Sequence, residues 1–486
     1  MTEHVNKVRD MQLKSNVRKL EIFSPTEMEY IHNASLDILE NTGMAVLEDT
    51  CFKLLVNSGA TVDLSNKLVK IPRQLVNEAL NKTPKGGRVH YGRTLRNDFK
   101  TGEQLFFRGG TLGPHILDIE TGVHRPATKK DFVNLVRLMD AMDSIHRVMF
   151  PCTPNDVPAD YFSQQLAEMI LENTSKPVGM VAYGRKSVRD VINMAAAVTG
   201  GIEELTKRPL VQLLVEPVSP LTLEERQGEN LLEFSRHKLP LELASMPTMC
   251  STAPATLAGT LAQVNAEHLC MVVIAQLVNP GTPMSLNACT GCMDPRSGVN
   301  SYGAVERILL NAAAVQLWNS FYGVETYASA GLTDSKVPDQ QAGYERMMNI
   351  LLPALTGAHM ITTLGYLESY LTISMEQIVI DNEIASLIQR ILRGIELSDE
   401  TLALDVIGKV GPGNHFLTEK HTLKHVNELL IPRLANRSTR AEWKRSGEKD
   451  IARMAREEAK RILETHQPEP LDKTIREELN RIAIGN

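Results

Sequence analysis

Phe321-Tyr322-Gly323-Val324-Glu325-Thr326-Tyr327-Ala328-Ser329-Ala330-Gly331-Leu332-Thr333-Asp334-Ser335-Lys336-Val337-Pro338-Asp339-Gln340-Gln341-Ala342-Gly343-Tyr344-Glu345 is the stretch on which the fold is decided. It opens as a strand and breaks at Gly331. A polar loop follows, Thr333 to Lys336, and Pro338 then starts a helix, as proline does in a first helical turn. Strand, polar loop and helix in that order form one unit of a βα barrel, whose loops at the C-terminal mouth carry the chemistry. Glu325, Tyr327 and Ser329 alternate along the strand and share one face, so they face the mouth together or not at all.

Outward from this unit the same alternation repeats. Strand candidates are Val148 to Cys152, Val178 to Tyr183, Leu210 to Glu216, Leu239 to Ser245, Pro283 to Asn287, Val324 to Ala330 and Met360 to Tyr366. Amphipathic stretches separate them: Ala159 to Asn173, Lys186 to Val198, Leu223 to His237, Ala255 to Val278, Tyr302 to Phe321 and Asp339 to Leu352. One more strand from residues 105–119, followed by a hairpin turning at Thr121-Gly122, brings the count to eight. Strict alternation implies a parallel sheet, and eight units imply a (β/α)8 TIM barrel of the α/β class. A doubly wound open sheet is the alternative; against it, no Gly-x-Gly-x-x-Gly follows the first strand.

The ends of the chain read differently. Ser24-Pro25-Thr26-Glu27 is a capping box, and the helix it opens runs to Gly43. With helices from Asp49 and Pro72, residues 1–100 form a mostly helical cap. Residues 101–372 form the barrel. Residues 373–486 form a helical region packing on it, with Met375 to Leu392 as one amphipathic helix. Thr439 to Glu464 is rich in Arg, Lys and Glu, as a solvated face or an oligomer contact is.

The chain has 486 residues, enough for a barrel with appended parts. Hydrophobic residues at 43% and charged residues at 23% are ordinary for a globular protein. A net charge of -6 leaves no basic surplus for a nucleic-acid partner. Six sparse cysteines read as cytosolic thiols. Met1-Thr2-Glu3-His4 lacks the order of a signal peptide. The longest apolar stretch, Leu269 to Val278, is broken by Gln276 and too short to span a bilayer. The expectation is a cytoplasmic protein with no membrane partner.

Buried parallel strands should be nearly unbroken apolar runs, and several here are not. Gln212 and Glu216 share a face of one strand, Glu242 interrupts the next, and Ser285, Asn287, Thr362 and Tyr366 follow in others, with Glu368 just beyond. A buried carboxylate costs several kcal/mol unless it is paired, so the pattern indicates a polar, functional lumen or a network that only closes the barrel. No Gly-x-Ser-x-Gly elbow and no phosphate loop is present, nor any Asp-x-His-x-x-Gly run of the kind that binds a corrinoid. Cys289-Thr290-Gly291-Cys292, with Cys250 nearby, can hold zinc at an open site or be no more than thiols in a loop. His421 and His425 have metal spacing but no adjoining Glu, and surface or interface histidines are the simpler reading.

Three stretches carry a resemblance to the trimethylamine methyltransferase family, in the branch that lacks pyrrolysine. They are Thr252-Ala253-Pro254-Ala255-Thr256-Leu257-Ala258-Gly259 through Asn265-Ala266-Glu267 to Leu277-Val278-Asn279-Pro280-Gly281; Gly331 to Asp339 with Ala342-Gly343-Tyr344-Glu345; and Gly411-Pro412-Gly413-Asn414-His415-Phe416-Leu417 with His421-Thr422-Leu423. The resemblance implies a (β/α)8 barrel, again, and transfer of a methyl group from a quaternary amine such as glycine betaine to Co(I) of a separate corrinoid protein. The products are methyl-Co(III) and the demethylated amine. No cofactor would then be bound tightly by this chain. The family's pyrrolysine falls at or near Leu332, and an ordinary leucine there favours a quaternary over a tertiary amine.

A quaternary nitrogen leaves as a neutral amine and needs neither acid nor metal. The site then has to present π faces to the cation and to orient one methyl. The resulting candidates are Tyr183, Tyr327, Tyr366 and Phe416 for an aromatic cage, Glu216 or Glu368 for negative charge, and Asp334 to order the loop. His415 or Arg296 would meet a substrate carboxylate. Two other functions compete: a zinc-dependent thiol or alcohol methyltransferase, and a non-catalytic protein that binds betaine-like solutes or a corrinoid protein. A homo-oligomer joined through the terminal helices is expected.

Overall fold

The computed structural model describes residues 17–485; Met1 to His4, read above for a targeting signal, lie outside them. Eight strands form a closed barrel: β1 Phe106–Gly109, β2 Arg147–Met149, β3 Val178–Met180, β4 Val211–Val215, β5 Leu241–Ser245, β6 Met284–Ala288, β7 Glu325–Ser329 and β8 Met360–Leu364. Each pair of neighbours is parallel, and β8 closes on β1 through Met360 opposite Phe106. A helix follows each strand: α1 Lys129–Ala141, α2 Phe162–Asn173, α3 Arg185–Thr199, α4 Glu225–Arg236, α5 Leu257–Val278, α6 Val305–Gln316, α7 Gln340–Thr356 and α8 Met375–Leu392. The open sheet is thereby excluded, since it has two edges and this sheet has none.

Several boundaries differ from the sequence expectation by a few residues, and three of them matter at the mouth. The α7 helix starts at Gln340, because the Asp339 carboxylate accepts the Ala342 N–H at 3.0 Å and makes Asp339 the cap. Pro338 therefore sits one residue outside. The α6 helix starts at Val305, which leaves Tyr302 in the loop before it. Strand β8 ends at Leu364, which leaves Tyr366 and Tyr370 in the loop after it. Strand β7 ends at Ser329, and Gly331 just beyond it is glycine for a steric reason: a Cβ there would lie 2.8 Å from the Thr363 carbonyl oxygen.

The α5 helix has 22 residues, starting two later than the expected Ala255 to Val278 and reaching well beyond the apolar run Leu269 to Val278. It is long and apolar enough to cross a membrane by composition, and 89% of that window is buried inside the protein. The burial is double-sided. One side of α5 lies on β5, and other sides meet the N-terminal helices Pro25–Asp37 and Arg73–Lys82. A helix covered all round is apolar all round. Its polar groups are paired: Trp318 donates its indole N–H to Asn265 at 3.0 Å, and Gln263 donates to Glu267 at 3.0 Å.

The N-terminal segment holds these helices and also strands. The capping box at Ser24 and Glu27 is present. Met44–Val46, Leu68–Lys70 and Thr61–Asp63 join Thr222–Leu223 of the β4–α4 loop in a four-stranded sheet. A hairpin of Val89–His90 and Phe99–Lys100 closes the N-terminal end of the barrel. At the other end of the chain, Ile451–Thr465 buries Ala455, Ala459 and Ile462 against the barrel, packing on α8 and α1. Lys473–Ala483 packs on α2 and α3. Between α8 and these helices, residues 395–432 form an arm in which only Val410 is buried.

Candidate functional site at the barrel mouth

Gln212, Glu242, Ser285, Asn287, Glu325, Tyr327 and Ser329 of the strands face the lumen, at different depths. Glu325, at the start of β7, lies at the floor. It accepts hydrogen bonds from Arg88 at 2.8 Å and from His90 at 2.9 Å, and a short one from Thr101. Burial opposes the Glu325 charge, but Arg88 and His90 outweigh it and hold the carboxyl well below its usual range. Burial, and then Arg88, push His90 down to about 3, so it is a neutral donor here. One step up, Tyr327 donates to Gln212 at 3.2 Å and is fully buried. The expected pairing of Glu325 and Tyr327 on one face is therefore correct, but neither reaches the mouth. The network around them closes the barrel.

Midway up, Arg108 pairs with Glu242 through a short contact, and Asn287 donates to the same carboxylate at 2.7 Å. Above this layer stands Glu216, the first residue after β4. It alternates with lumen-facing Gln212, it is half-buried, and no hydrogen bond or ion pair of its carboxylate is found among the described residues. Burial, reinforced by the charge of Glu242, pushes Glu216 up to about 7. Arg108 is the cation that acts against this.

Four groups feel the Glu216 charge: Tyr183, Cys289, Tyr302 and Tyr370. Tyr183, just beyond β3, is 44% exposed and meets Phe162 with ring centroids 6.1 Å apart. Tyr302 and Tyr370 meet edge to face at 5.0 Å and 82°. Tyr366 stands behind Tyr370 at 6.2 Å. The Tyr366 hydroxyl donates to the Pro151 carbonyl at 2.5 Å and accepts the Thr111 N–H at 2.6 Å. It is fully buried, so it supports the wall rather than forming its surface. The Cys289 thiol, 3.0 Å from the Tyr370 hydroxyl, is raised by burial and then by Glu216, and stays protonated.

Asp334 holds two of these tyrosines in place. Its carboxylate accepts the backbone N–H groups of Tyr302 at 2.8 Å and Gly303 at 3.1 Å, with short hydrogen bonds from Ser301 and Ser369. Glu345 in turn accepts the Asp334 N–H at 2.8 Å. The loop after β8 needs this support. Glu368, Ser369 and Tyr370 all have positive φ, of 51°, 52° and 86°, a conformation that costs non-glycine residues of order 1 kcal/mol each. Glu267 of α5 performs the same task for the loop beyond Glu216, accepting the Ser219 hydroxyl at 2.8 Å and the Leu221 N–H at 2.9 Å.

The remaining candidates lie elsewhere. Arg296 has 88% of its side chain exposed and is paired with Asp294 of its own loop. Glu368 accepts from Thr372 at 2.8 Å at the rim. His415 and Phe416 are exposed in the arm 395–432, whose hydrogen bonds and ion pairs from Glu396 to Glu428 all stay within that segment. Leu332 is fully buried in the main apolar cluster. The zinc alternative finds no ligand set: among the described residues no three of His, Cys, Asp and Glu converge. A cleft on the outside of the barrel, lined by Lys186, Asp190, Glu478 and Arg481 among others, contains none of the mouth residues.

Tyr302 and Tyr370 escaped the strand-based search because both lie in loops. The usable signal was their place beyond the sixth and eighth strands, where barrel loops converge.

A profile of the trimethylamine methyltransferase (MTTB) family matches residues 2–483. Trimethylamine methyltransferase MttB of Desulfitobacterium hafniense (strain DSM 10664 / DCB-2) is 36% identical over 462 residues, covering 95% of this chain and 93% of that protein. MttB of Methanosarcina barkeri (strain Fusaro / DSM 804) is 33% identical, with 96% and 95% covered. Glycine betaine methyltransferase of Desulfitobacterium hafniense (strain Y51) is 32% identical, with 94% and 95% covered. Among solved structures, the Methanosarcina barkeri monomethylamine methyltransferase MtmB superposes with a TM-score of 0.49 at 13% identity, covering 94% of this chain and 97% of that one.

Proposed function

The chain is a methyltransferase belonging to the trimethylamine methyltransferase family, and from that premise we propose that it demethylates a quaternary ammonium compound of the betaine type. The methyl acceptor is Co(I) of a separate corrinoid protein. The observation that carries this is a carboxylate without a partner, Glu216, whose charge reaches Tyr183, Tyr302 and Tyr370, the last two packed edge to face at 5.0 Å. Aromatic faces and one negative charge are what a permanent cation needs, at about 0.5 to 2 kcal/mol per cation–π contact.

The transfer is a displacement at carbon. The C–N bond breaks with its electron pair going to nitrogen, a C–Co bond forms, and cobalt goes from Co(I) to Co(III). No proton moves, so no general acid is required of the chain. The chain binds and aims. Tyr370 and the exposed Tyr183 face the head-group. Tyr302, buried and with the Arg307 guanidinium over its ring at 4.8 Å, backs Tyr370, and Glu216 supplies the counter-charge. Protonated Cys289 does not compete for the methyl, because the thiolate is the nucleophilic form. Arg108 is the cation acting on Glu216 from below, so a substrate carboxylate is placed on its side, with one N-methyl pointing up and out of the mouth. Neither Arg296 nor His415 is needed for that role.

On this account the place of the family's pyrrolysine falls at or near Leu332, whose buried aliphatic side chain offers no electrophile to trap a free amine. That supports a quaternary over a tertiary substrate. The resident corrinoid belongs to the partner, and no tightly bound cofactor is assigned to this chain. Calorimetric titration with tetramethylammonium and glycine betaine tests the site. Binding weakened by at least about tenfold in Tyr370→Ala supports it, and unchanged binding contradicts it. Binding without demethylation in the presence of reduced corrinoid protein would favour the non-catalytic alternative.

A further inference from the structure

The mouth carries a small sheet of its own. Thr248–Met249, in the loop after β5, runs parallel to Gly291–Met293, in the loop after β6, and Asn300–Ser301 lies antiparallel on the far side of the latter. The Gly291 N–H donates to the Pro247 carbonyl at 3.0 Å, which starts this pairing just beyond the barrel strands. In the register so set, Met249 stands opposite Cys292, and Cys250 is the next residue. Neighbouring strands lie about 4.8 Å apart and rise about 3.3 Å per residue, which puts the Cα atoms of Cys250 and Cys292 about 6 Å from one another. A disulfide spans about 4.4 to 6.8 Å between Cα atoms.

Both thiols are free, Cys250 exposed and Cys292 half-buried. Cys250 has a φ of 67°, so the chain leaves the strand there, and its side chain is released from the alternation that would turn it to the opposite face. Cys292 feels it: burial, then the charges of Glu306 and Cys250, push the Cys292 thiol up. Cys289, the other half of the C-x-x-C, is buried and has its thiol 3.0 Å from the Tyr370 hydroxyl. The consequence of a Cys250–Cys292 pair lies in what Cys292 is tied to. Ser301 is its partner across the antiparallel pairing, and the Ser301 hydroxyl donates a short hydrogen bond to Asp334. The next two amides, those of Tyr302 and Gly303, donate to the same carboxylate.

We infer that Cys250 and Cys292 form a redox-sensitive dithiol at the barrel mouth, oxidised by a small-molecule disulfide, and that their cross-link releases the hold of Asp334 on Tyr302. The exposed Cys250 thiolate attacks one sulfur of the small disulfide, whose S–S bond breaks with one thiolate leaving. The Cys292 thiolate then attacks the Cys250 sulfur of the mixed disulfide, and the second thiolate leaves. The two protons given up by the protein thiols go to the two leaving thiolates. The protein loses two electrons and the small disulfide gains them. Closing the sulfurs to about 2.05 Å draws Cys292 toward Cys250. Cys250 and Ser301 follow strands on opposite sides of Cys292, so this movement is away from Ser301. A displacement of about 1 Å is enough to disarm a positioned site. The use of such a switch rests on the function proposed above: Co(I) persists only in reducing surroundings, so the oxidised chain stops binding amine when no acceptor is available. The dithiol itself does not depend on that function.

Peptide mapping of the full chain after exposure to excess oxidised glutathione tests the cross-link. A Cys250–Cys292 disulfide that dithiothreitol removes is expected, with Cys289 unmodified. A stable glutathione adduct, a Cys289–Cys292 linkage or no cross-link overturns the inference. Hydrogen exchange then reads the hold of Asp334. The Tyr302 and Gly303 amides are expected to exchange at least about tenfold faster in the oxidised than in the reduced chain, and the oxidant is expected to produce no acceleration in Cys250→Ser. Equal rates in the oxidised and reduced native chain overturn the inference, and so does the same acceleration in Cys250→Ser. Should that variant misfold, Cys292→Ser takes its place with the same two outcomes. Neither readout uses an amine, so a failure here is distinct from a failure of the proposed substrate.

Discussion

Asp334 accepts the backbone N–H of Tyr302 at 2.8 Å while the same carboxylate holds the Ser369 hydroxyl, next in sequence to Tyr370. One side chain on the loop after β7 thus fixes the loops after β6 and β8 and, through them, two facing rings. Removing it releases a loop whose three successive positive-φ residues are held against their preference. Asp334→Ala is expected to lower kcat/KM for the methylated amine by about 10- to 100-fold, with tetramethylammonium binding weakened in step. Asp334→Asn keeps one acceptor oxygen and should lie between. Steady-state kinetics with a circular dichroism control checks this, and native activity in Asp334→Ala would rule out the positioning role.

Glu216 makes binding depend on pH. With its carboxyl raised to about 7 in the free protein, the charge that attracts a cation is lost as pH falls through that value, so affinity for tetramethylammonium drops from pH 8 to pH 6. Glu216→Gln is expected to bind weakly and without this slope. Stability runs the opposite way. The folded chain holds the Glu216 proton more tightly than the unfolded chain, whose ordinary value is 4.5, so stability contributed by this group falls as pH rises from there to about 7. Glu216→Gln should therefore melt higher than the native chain at pH 8 and alike at pH 4.

Tyr327 and Tyr370 separate structure from binding. Tyr327 is locked among Gln212, Glu325 and Arg88 below the well, so Tyr327→Phe should leave betaine affinity unchanged and reduce stability by about 1 kcal/mol. Tyr370→Ala should do the reverse in emphasis, costing cation affinity. Calorimetry paired with thermal melts distinguishes them.

Arg108 carries the specificity test. Arg108→Lys keeps a positive charge beside Glu242 but loses the planar fork that matches a carboxylate. Glycine betaine affinity is expected to fall about tenfold or more, and that of tetramethylammonium, which has no carboxylate, to stay within about twofold. Equal losses for both ligands would assign Arg108 to the closure of the lumen alone.

The barrel could be read from residues because its signal is repetitive. Short strand-like runs alternate with longer helical stretches, and eight repeats leave one closed arrangement. Depth within the lumen could not be read the same way. Glu325, Tyr327 and Ser329 share a face by alternation, yet only the hairpin carrying Arg88 and His90, distant in sequence, decides that Glu325 is floor. Glu216 stood out because it ends a strand. Tyr302 did not, because the run from Tyr302 to Phe321 is helical enough in pattern to absorb its first residue, and the cap at Ala304 has no side-chain hydrogen bond to announce it in the sequence. His415 and Phe416 belong to a stretch that bears the family resemblance, but resemblance carries no coordinates, and the arm holds them away from the well.

The most direct measurement is the cobalt spectrum. Chain, cognate corrinoid protein and reductant are mixed with a panel of glycine betaine, proline betaine, carnitine, γ-butyrobetaine and trimethylamine, and the conversion of Co(I) to methyl-Co(III) is followed. The account predicts conversion with at least one quaternary amine and none with trimethylamine, and loss of that conversion in Tyr302→Ala/Tyr370→Ala. Conversion with trimethylamine alone, or undiminished conversion in the double variant, would contradict it.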